Sequence, residues 1–209
     1  MNEYPYQRSN LGCASRYLLP VIRKIVQNTP PGSVVADLGC GNGSMLAQFR
    51  EHGWDLHGLE MSLSGLEEAV KAYPGIKFDF VDLTTDLSSH YLVGKCDLII
   101  STEVVEHVFL PRSYAKNCYH LLNRNGLLII STPYHGYLKN LLLAVTGKMD
   151  SHFTALWDFG HIKFWSRRTL TNLLIEAGFG EIRFLGAGRL PFLWKSMVVV
   201  AKKQSDHPS

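Results

Sequence analysis

The chain has 209 residues and a formal net charge of +3, enough for one domain with its own core and too little positive charge to suit a polyanion partner such as nucleic acid. Its four cysteines (Cys13, Cys40, Cys96, Cys118) are far apart with no C-x-x-C pair, so they read as reduced, mostly buried thiols rather than metal ligands or bridges. The amino terminus lacks the apolar core of a secretory signal and no apolar run approaches bilayer length, so the expectation is a soluble cytoplasmic protein.

Residues 1–12 are polar and aromatic and read as an arm or lid. From Ser15 to Asn28, apolar residues at Tyr17, Leu18, Val21, Ile22, Ile25 and Val26 follow a helical period, which Thr29-Pro30-Pro31-Gly32 ends. Val34 to Leu38 is mostly apolar, as a strand covered on both faces of a parallel sheet should be. It runs into Gly39-Cys40-Gly41-Asn42-Gly43, with a helix expected from Ser44 to Glu51. Alternate glycines permit positive φ and close approach of a ligand, and the helix would aim free N–H groups over the turn.

A second strand, Leu56 to Met61, carries Glu60, and Ser62 can cap a helix over Leu63 to Ala72. Pro74-Gly75 leads into the alternating strand Lys77 to Val81, which ends at Asp82. After a polar connection, Cys96 to Ser101 forms a fourth strand, with a helix expected to begin near Thr102 and another over Arg112 to Asn123. Asn125-Gly126 turns the chain into a fifth, buried strand, Leu127 to Ser131. Strands alternating with helices at this spacing predict a Rossmann-like, doubly wound α/β domain with a mostly parallel seven-stranded sheet. Ligand groups then belong at the strand carboxyl ends, where Asp37, Glu60, Asp82 and Glu103 all fall.

The pattern breaks over residues 134–163, which read as a cap inserted after strand five, with an apolar helix-like stretch from Tyr137 to Val145. Ser166 is the expected N-cap of a helix from Arg167 to Ala177 closed by Gly178. Glu181 to Leu185 and Ser196 to Ala201 predict an antiparallel, hairpin-like pair at the sheet edge, followed by a frayed tail from Lys202. The whole chain, 1–209, is expected to be a single domain, with residues 1–30 as amino-terminal arm and helix.

The glycine loop decides the ligand class. A dinucleotide fingerprint needs G-x-G-x-x-G/A; Gly39 and Gly41 fit, but residue 44 is Ser and Gly43 comes one position early. Asp37 at the loop mouth would repel a pyrophosphate and would suit a ligand carrying an ammonium and a sulfonium. Asp37, Gly39, Gly41 and Gly43 resemble motif I, D/E-x-G-x-G-x-G, of the class I S-adenosylmethionine-dependent methyltransferases. Glu103-Val104-Val105-Glu106-His107-Val108 is similar to the E-x-x-E-H-V segment of the type 11/12 methyltransferase families, the ubiquinone-pathway O-methyltransferases among them. The later His161-x-x-x-Trp165-Ser166-x-x-x-Leu170 pattern extends the likeness over roughly residues 10 to 200.

The resemblance implies a site residue by residue. Asp37, Gly39, Gly41 and Gly43, with Cys40 among them, would surround the methionine part of S-adenosyl-L-methionine; Glu60, beside Met61, would hold the ribose. Asp82 and Leu83 would flank the adenine, and Thr102 and the upstream Arg16 would also reach the cofactor. S-adenosyl-L-homocysteine would be the product, and no metal is assigned. On the expected helix Glu103 and His107 share a face, and an imidazole there can take a proton from a hydroxyl acceptor, or can be a purely structural histidine. Tyr134, His135, His152, Trp157 and His161 are expected either to shape the acceptor pocket or to pack the cap.

The expected activity is thus O-methylation of a small molecule. The alternatives are small-molecule N-methylation and a non-catalytic S-adenosylmethionine-binding module. Ser101-Thr102-Glu103-Val104 lacks the D/N/S-P-P-Y/F of amino-methylating nucleic-acid enzymes, and neither Cys96 nor Cys118 has a Pro-Cys setting. The stretch from Tyr137 to Lys148, apolar between lysines, would suit either transient contact with a membrane surface or a buried cap helix.

Overall fold

The computed structural model describes residues 11–153 and 155–204. Most of the expected amino-terminal arm lies outside that range. A seven-stranded sheet in the order β3-β2-β1-β4-β5-β7-β6 runs through the middle of the molecule. β1 (Val34–Leu38), β2 (Asp55–Glu60), β3 (Lys77–Phe80), β4 (Cys96–Thr102) and β5 (Leu122–Pro133) are mutually parallel. β7 (Ser196–Lys203) joins β5 antiparallel and carries β6 (Phe179–Ala187) on its outer side, the expected edge pair. Lys202 and Lys203, read from sequence as frayed tail, finish β7 in register with Leu127 and Phe179.

The two-residue alternation of the strands divides the core. Ala36, Leu38, Ile99, Leu128 and Ile130 face α3 (Pro111–Leu121) and α6 (Arg167–Glu176). Val35, Leu98, Ile100 and Ile129 face α1 (Ser15–Val26), whose Leu18, Ile22 and Val26 recur at helical spacing. α2 (Leu63–Ala72) starts where Ser62 accepts from the Gly65 amide at 3.2 Å, and α6 starts with a capping box between Ser166 and Thr169.

Three local expectations fail. The segment after the glycine loop is a 3₁₀ helix, Leu46–His52, rather than an α-helix from Ser44. Its tighter winding, two residues late, leaves little helix dipole to aim at a ligand. No helix begins at Thr102: Glu103 has φ 55° and the chain turns, so Glu103 and His107 do not share a helical face. β5 begins at Leu122 and absorbs Asn125-Gly126 as an irregularity, since Cys96 pairs with Leu122 but Leu98 with Leu127.

The inserted cap forms α4 (Tyr137–Val145) and α5 (Met149–Phe153). α4 is apolar yet outward-facing: Tyr137, Leu138, Leu141, Leu142 and Val145 are exposed, and the residue it buries is Lys139. Among the described residues no helix is long and apolar enough to cross a membrane.

Candidate active site

The loop after β1 is held by the neighbouring strand. The amides of Gly39 and Cys40 donate to the Leu59 carbonyl at 2.8 and 3.2 Å, and Gly41 N donates to Glu60 Oε2 at 2.7 Å. Gly39, Gly41 and Gly43 all have positive φ. A Cβ on Gly39 would lie 2.5 Å from Val104 Cγ2, and one on Gly43 would lie 2.8 Å from Phe78 Cζ. Two of the three glycines thus admit protein side chains as well as turning the backbone, a packing role the ligand-approach reading had not included.

Asp37 lies at the end of β1, 1% exposed, and its Oδ1 has no hydrogen-bond partner among the described residues. Burial first, and the Glu60 carboxylate second, push its pKa up to about 7. A buried carboxylate without a partner is costly; a cationic group laid over the loop would supply one. The amino-acid end of S-adenosylmethionine fits that requirement.

Glu60 is more committed than the sequence suggests. Its Oε1 accepts from the amides of Met61 (2.9 Å) and Ser62 (2.8 Å), and its Oε2 accepts from Gly41, so ribose hydroxyls would share oxygens already fixed in direction. Met61 beside it is half exposed. At the end of β3, Asp82 Oδ1 accepts from the amide and hydroxyl of Thr84, while Leu83 is buried and its carbonyl accepts from Asn117. Arg16 is exposed on α1, next to Tyr17.

β4 delivers the second group of residues. Its end is stitched to β1 and α3: Ser101 Oγ donates to the Leu38 carbonyl and Tyr114 Oη donates to Ser101 Oγ, both at 2.7 Å. Thr102 closes the strand opposite Ser131. Glu103 then turns toward β5 and β7, accepting from Ser131 Oγ (2.8 Å) and Ser196 Oγ (3.2 Å). Tyr17 Oη lies 3.1 Å from Ser196 Oγ, which links α1 to this carboxylate. Burial raises the pKa of both Glu103 and Glu106, and in Glu106 the Glu103 charge adds to it. Glu106 is 1% exposed with neither oxygen hydrogen-bonded among the described residues.

His107 is fixed by the cap rather than by Glu103. Its Nδ1 lies 3.2 Å from the Gly160 carbonyl, which can only accept. The proton therefore sits on Nδ1 and the lone pair on Nε2. Burial lowers its pKa, so the ring is neutral at physiological pH. The strip carrying His161 is docked along the same turn: Ile162 N and Lys163 N both donate to the Glu106 carbonyl at 3.0 Å, and Trp165 Nε1 donates to Val105 O at 3.1 Å. The His161-x-x-x-Trp165 and Glu103-x-x-Glu106-His107 patterns are therefore two sides of one structure. Ligand atoms of Glu106, His107 and His161 lie within 4.8 Å of one another, a donor set that could hold a divalent ion although none was expected.

The expected pocket residues fall into three groups. His107 packs edge-on against His161 and Trp157. His135 packs against His152, Phe153 and Phe164, a separate cluster. Tyr134 joins neither: its ring packs against Trp194 and Phe184, and only its carbonyl turns inward, accepting from Lys139 Nζ at 2.8 Å. Sequence reasoning missed Tyr17, Ser131, Ser196 and Lys139. Only Lys139 left a signal, as the lone cation inside an apolar helical stretch.

A glycine-turned loop after the first strand, with a buried carboxylate near the end of that strand whose Oδ1 finds no partner among the described residues, and a second carboxylate closing the next strand, suit a nucleotide-type ligand with a cationic end. Residues 10–182 match a methyltransferase domain family, and the chain belongs to it, within the class I S-adenosylmethionine-dependent methyltransferases. A ubiquinone biosynthesis O-methyltransferase of Erwinia tasmaniensis is 30% identical over 118 residues, 56% of this chain and 48% of that one, so the chain spans about half the length of this curated relative. Among solved structures, an S-adenosylmethionine-dependent methyltransferase from Archaeoglobus fulgidus superposes with a TM-score of 0.68 at 16% identity, covering 89% of this chain and 93% of that one. Phosphoethanolamine N-methyltransferase 2 of Haemonchus contortus, in complex with S-adenosyl-L-methionine, gives 0.65 at 13% identity over 90% and 52%. The last two likenesses bear on the fold alone.

Proposed function

We propose that this chain methylates a hydroxyl of a small, largely apolar acceptor, with His107 taking the proton. The observation that carries this reading is the neutral imidazole with Nδ1 tied to the Gly160 carbonyl and Nε2 left as a base at the end of β4. Bound S-adenosylmethionine would supply a methyl group on a sulfonium, already activated for transfer. Asp37, the glycine loop, Glu60, Met61, Asp82, Leu83 and Thr102 would hold it, with Arg16 at the rim. The remaining work is to orient the acceptor, exclude water and remove one proton. His161 and Trp157 pack on the His107 ring and would fix its plane.

The test is His107→Gln, followed by S-adenosylhomocysteine formation with a panel of phenols and alcohols. We expect turnover to fall roughly a hundredfold or more while S-adenosylhomocysteine affinity holds, and the acid limb of the wild-type rate profile to lie below the ordinary histidine range. Full turnover in the variant would favour the second reading, N-methylation of a small amine, which the buried Glu103 and Glu106 carboxylates could seat. Absence of S-adenosylhomocysteine with every acceptor pool would favour a non-catalytic binding module. A divalent ion on Glu106, His107 and His161 would occupy the base's lone pair, so loss of activity in chelator with recovery on Mg²⁺ or Zn²⁺ would replace the imidazole step by a metal-assisted one.

The exposed apolar face of α4 supports transient contact with a membrane surface, as a lipophilic acceptor would require. Co-sedimentation with anionic vesicles should be lost in a Leu141→Asp, Leu142→Asp variant; equal sedimentation of both proteins would remove this partner.

A further inference from the structure

α4 is inverted. An amphipathic helix normally buries its apolar stripe and exposes its charges, yet this one exposes five apolar residues and buries one lysine. Lys139 is 8% exposed. One of its three donors meets the Tyr134 carbonyl at 2.8 Å; among the described residues the other two find no acceptor, and no carboxylate lies within ion-pair distance. One bond to a neutral carbonyl is a small return for desolvating an ammonium.

Its surroundings place it in the space between the strand ends and the cap. Burial first, with the Lys139 charge adding to it, lowers the pKa of His135, His152 and His161 of the cap; on Glu103 at the end of β4, which burial raises, the same charge pulls the other way. Arg189, after β6, adds a second positive charge facing Lys139 and His152. Glu103, the carboxylate whose charge acts on Lys139, has its oxygens occupied by Ser131 and Ser196. Burial, then Arg189, draws the lysine down to about 8, so it is still mostly charged at neutral pH. Glu103 is therefore a counter-charge at a distance rather than a partner: among the described residues no carboxylate oxygen pairs with the Lys139 ammonium, two of its N–H donors stay unused, and the three imidazoles nearest it are neutral.

We propose that Lys139 is the anion-binding residue of the acceptor pocket, and that the acceptor presents an anionic oxygen to its two unused N–H donors. This rests on reading the strand-end space as the acceptor site, and it narrows the acceptor class: an ionised phenol or enol, or a hydroxyl compound with a neighbouring carboxylate, is selected over a neutral alcohol. Lys139 acts as a positioning residue: it holds the anionic oxygen, and where the attacking group is a separate, neutral hydroxyl its proton is left to His107, whereas an ionised oxygen that attacks directly needs no base.

The experiment is calorimetric titration of three probes into protein preloaded with S-adenosylhomocysteine, which reads acceptor binding without turnover. Catechol is the neutral reference, 3,4-dihydroxybenzoate adds a carboxylate, and 4-nitrocatechol has a hydroxyl ionised near neutral pH. We expect at least one anionic probe to bind tenfold or more tightly than catechol, about the contribution of one charge-assisted hydrogen bond. Which probe gains identifies the source of the negative oxygen. In Lys139→Met the preference should vanish, and in Lys139→Arg it should be largely kept, with S-adenosylhomocysteine affinity unchanged in both. Equal affinity of all three probes for the wild type, no binding of any, or a preference that survives Lys139→Met would overturn the proposal. Selective anion binding without methyl transfer to any hydroxyl would leave it standing and overturn the O-methylation reading instead.

Discussion

The two halves of the site are built on opposite principles. The half proposed for the cofactor, from Asp37 through Glu60 to Asp82, is made of strand ends and backbone turns: Glu60 is held by its neighbours Met61 and Ser62 and by Gly41 of the adjoining loop, and Asp82 by Thr84. The half proposed for the acceptor is assembled from segments far apart in the chain. α1 reaches Glu103 through Tyr17 and Ser196, the strip at residues 160–165 docks on the turn after β4, and α4 presents Lys139 inward and its apolar side outward. A rigid half can be shared by many enzymes; a half made of long-range contacts and an inserted cap can change acceptor without disturbing the first.

That contrast predicts that substitutions in the first half are felt in stability and cofactor affinity together, and those in the second mainly in acceptor handling. The largest effect is expected for Gly39→Ala. The new Cβ meets Val104 at 2.5 Å with φ at 74°, and should cost about 3 kcal/mol of stability together with most cofactor binding. Adding Val104→Ala should recover part of both, measured by thermal unfolding and calorimetry. A Gly39→Ala protein of normal stability that still fails to bind would mean the glycine serves the ligand alone.

Asp37→Asn comes next. It should weaken S-adenosylhomocysteine binding tenfold or more by removing a charge-assisted partner, and it should also alter the pH dependence of the free protein. In the folded state the Asp37 pKa is raised from 3.8 to about 7, so between those values the native state binds the extra proton and stability falls as pH rises. The wild-type Tm without ligand should therefore decline over that window and the variant's should decline less. Parallel slopes for the two proteins would show that Asp37 is not the group responsible.

Trp165→Phe probes the clamp between the motif turn and the cap. Losing the bond to Val105 O should cost about 1 kcal/mol and raise the acceptor KM with little change in cofactor affinity. Smallest of all, Leu142→Asp should change stability by less than about 0.5 kcal/mol because the side chain is exposed. A large loss there would mean that α4 packs against something in the folded protein, and would remove the main support for its contact with a membrane surface.

The strand ends were legible in the sequence because a parallel strand is a short local signal, and because its carboxyl end is where such folds put ligand groups. Asp37, Glu60 and Asp82 could be placed there with no knowledge of the rest. The 3₁₀ segment was not legible: Ser44 to Glu51 has helical composition, and its winding is set by packing Leu46 and Phe49 on β1 and α1. The turn at Glu103 was misread for the same reason. Its positive φ is imposed by hydrogen bonds to Ser131 and Ser196, which lie 28 and 93 residues away.

By itself the sequence determined the sheet, the glycine loop and the methyltransferase lineage, since these rest on periodicity and on residues that act within their own neighbourhood. Only the tertiary structure decided which way Glu103 turns, which nitrogen of His107 carries the proton and which side of α4 faces inward. The first two depend on a partner brought near by folding, a serine on β7 and a carbonyl at Gly160, while the third shows in the burial of Lys139 against the exposure of its apolar neighbours. Local chemistry names the candidates, and long-range contacts assign their roles.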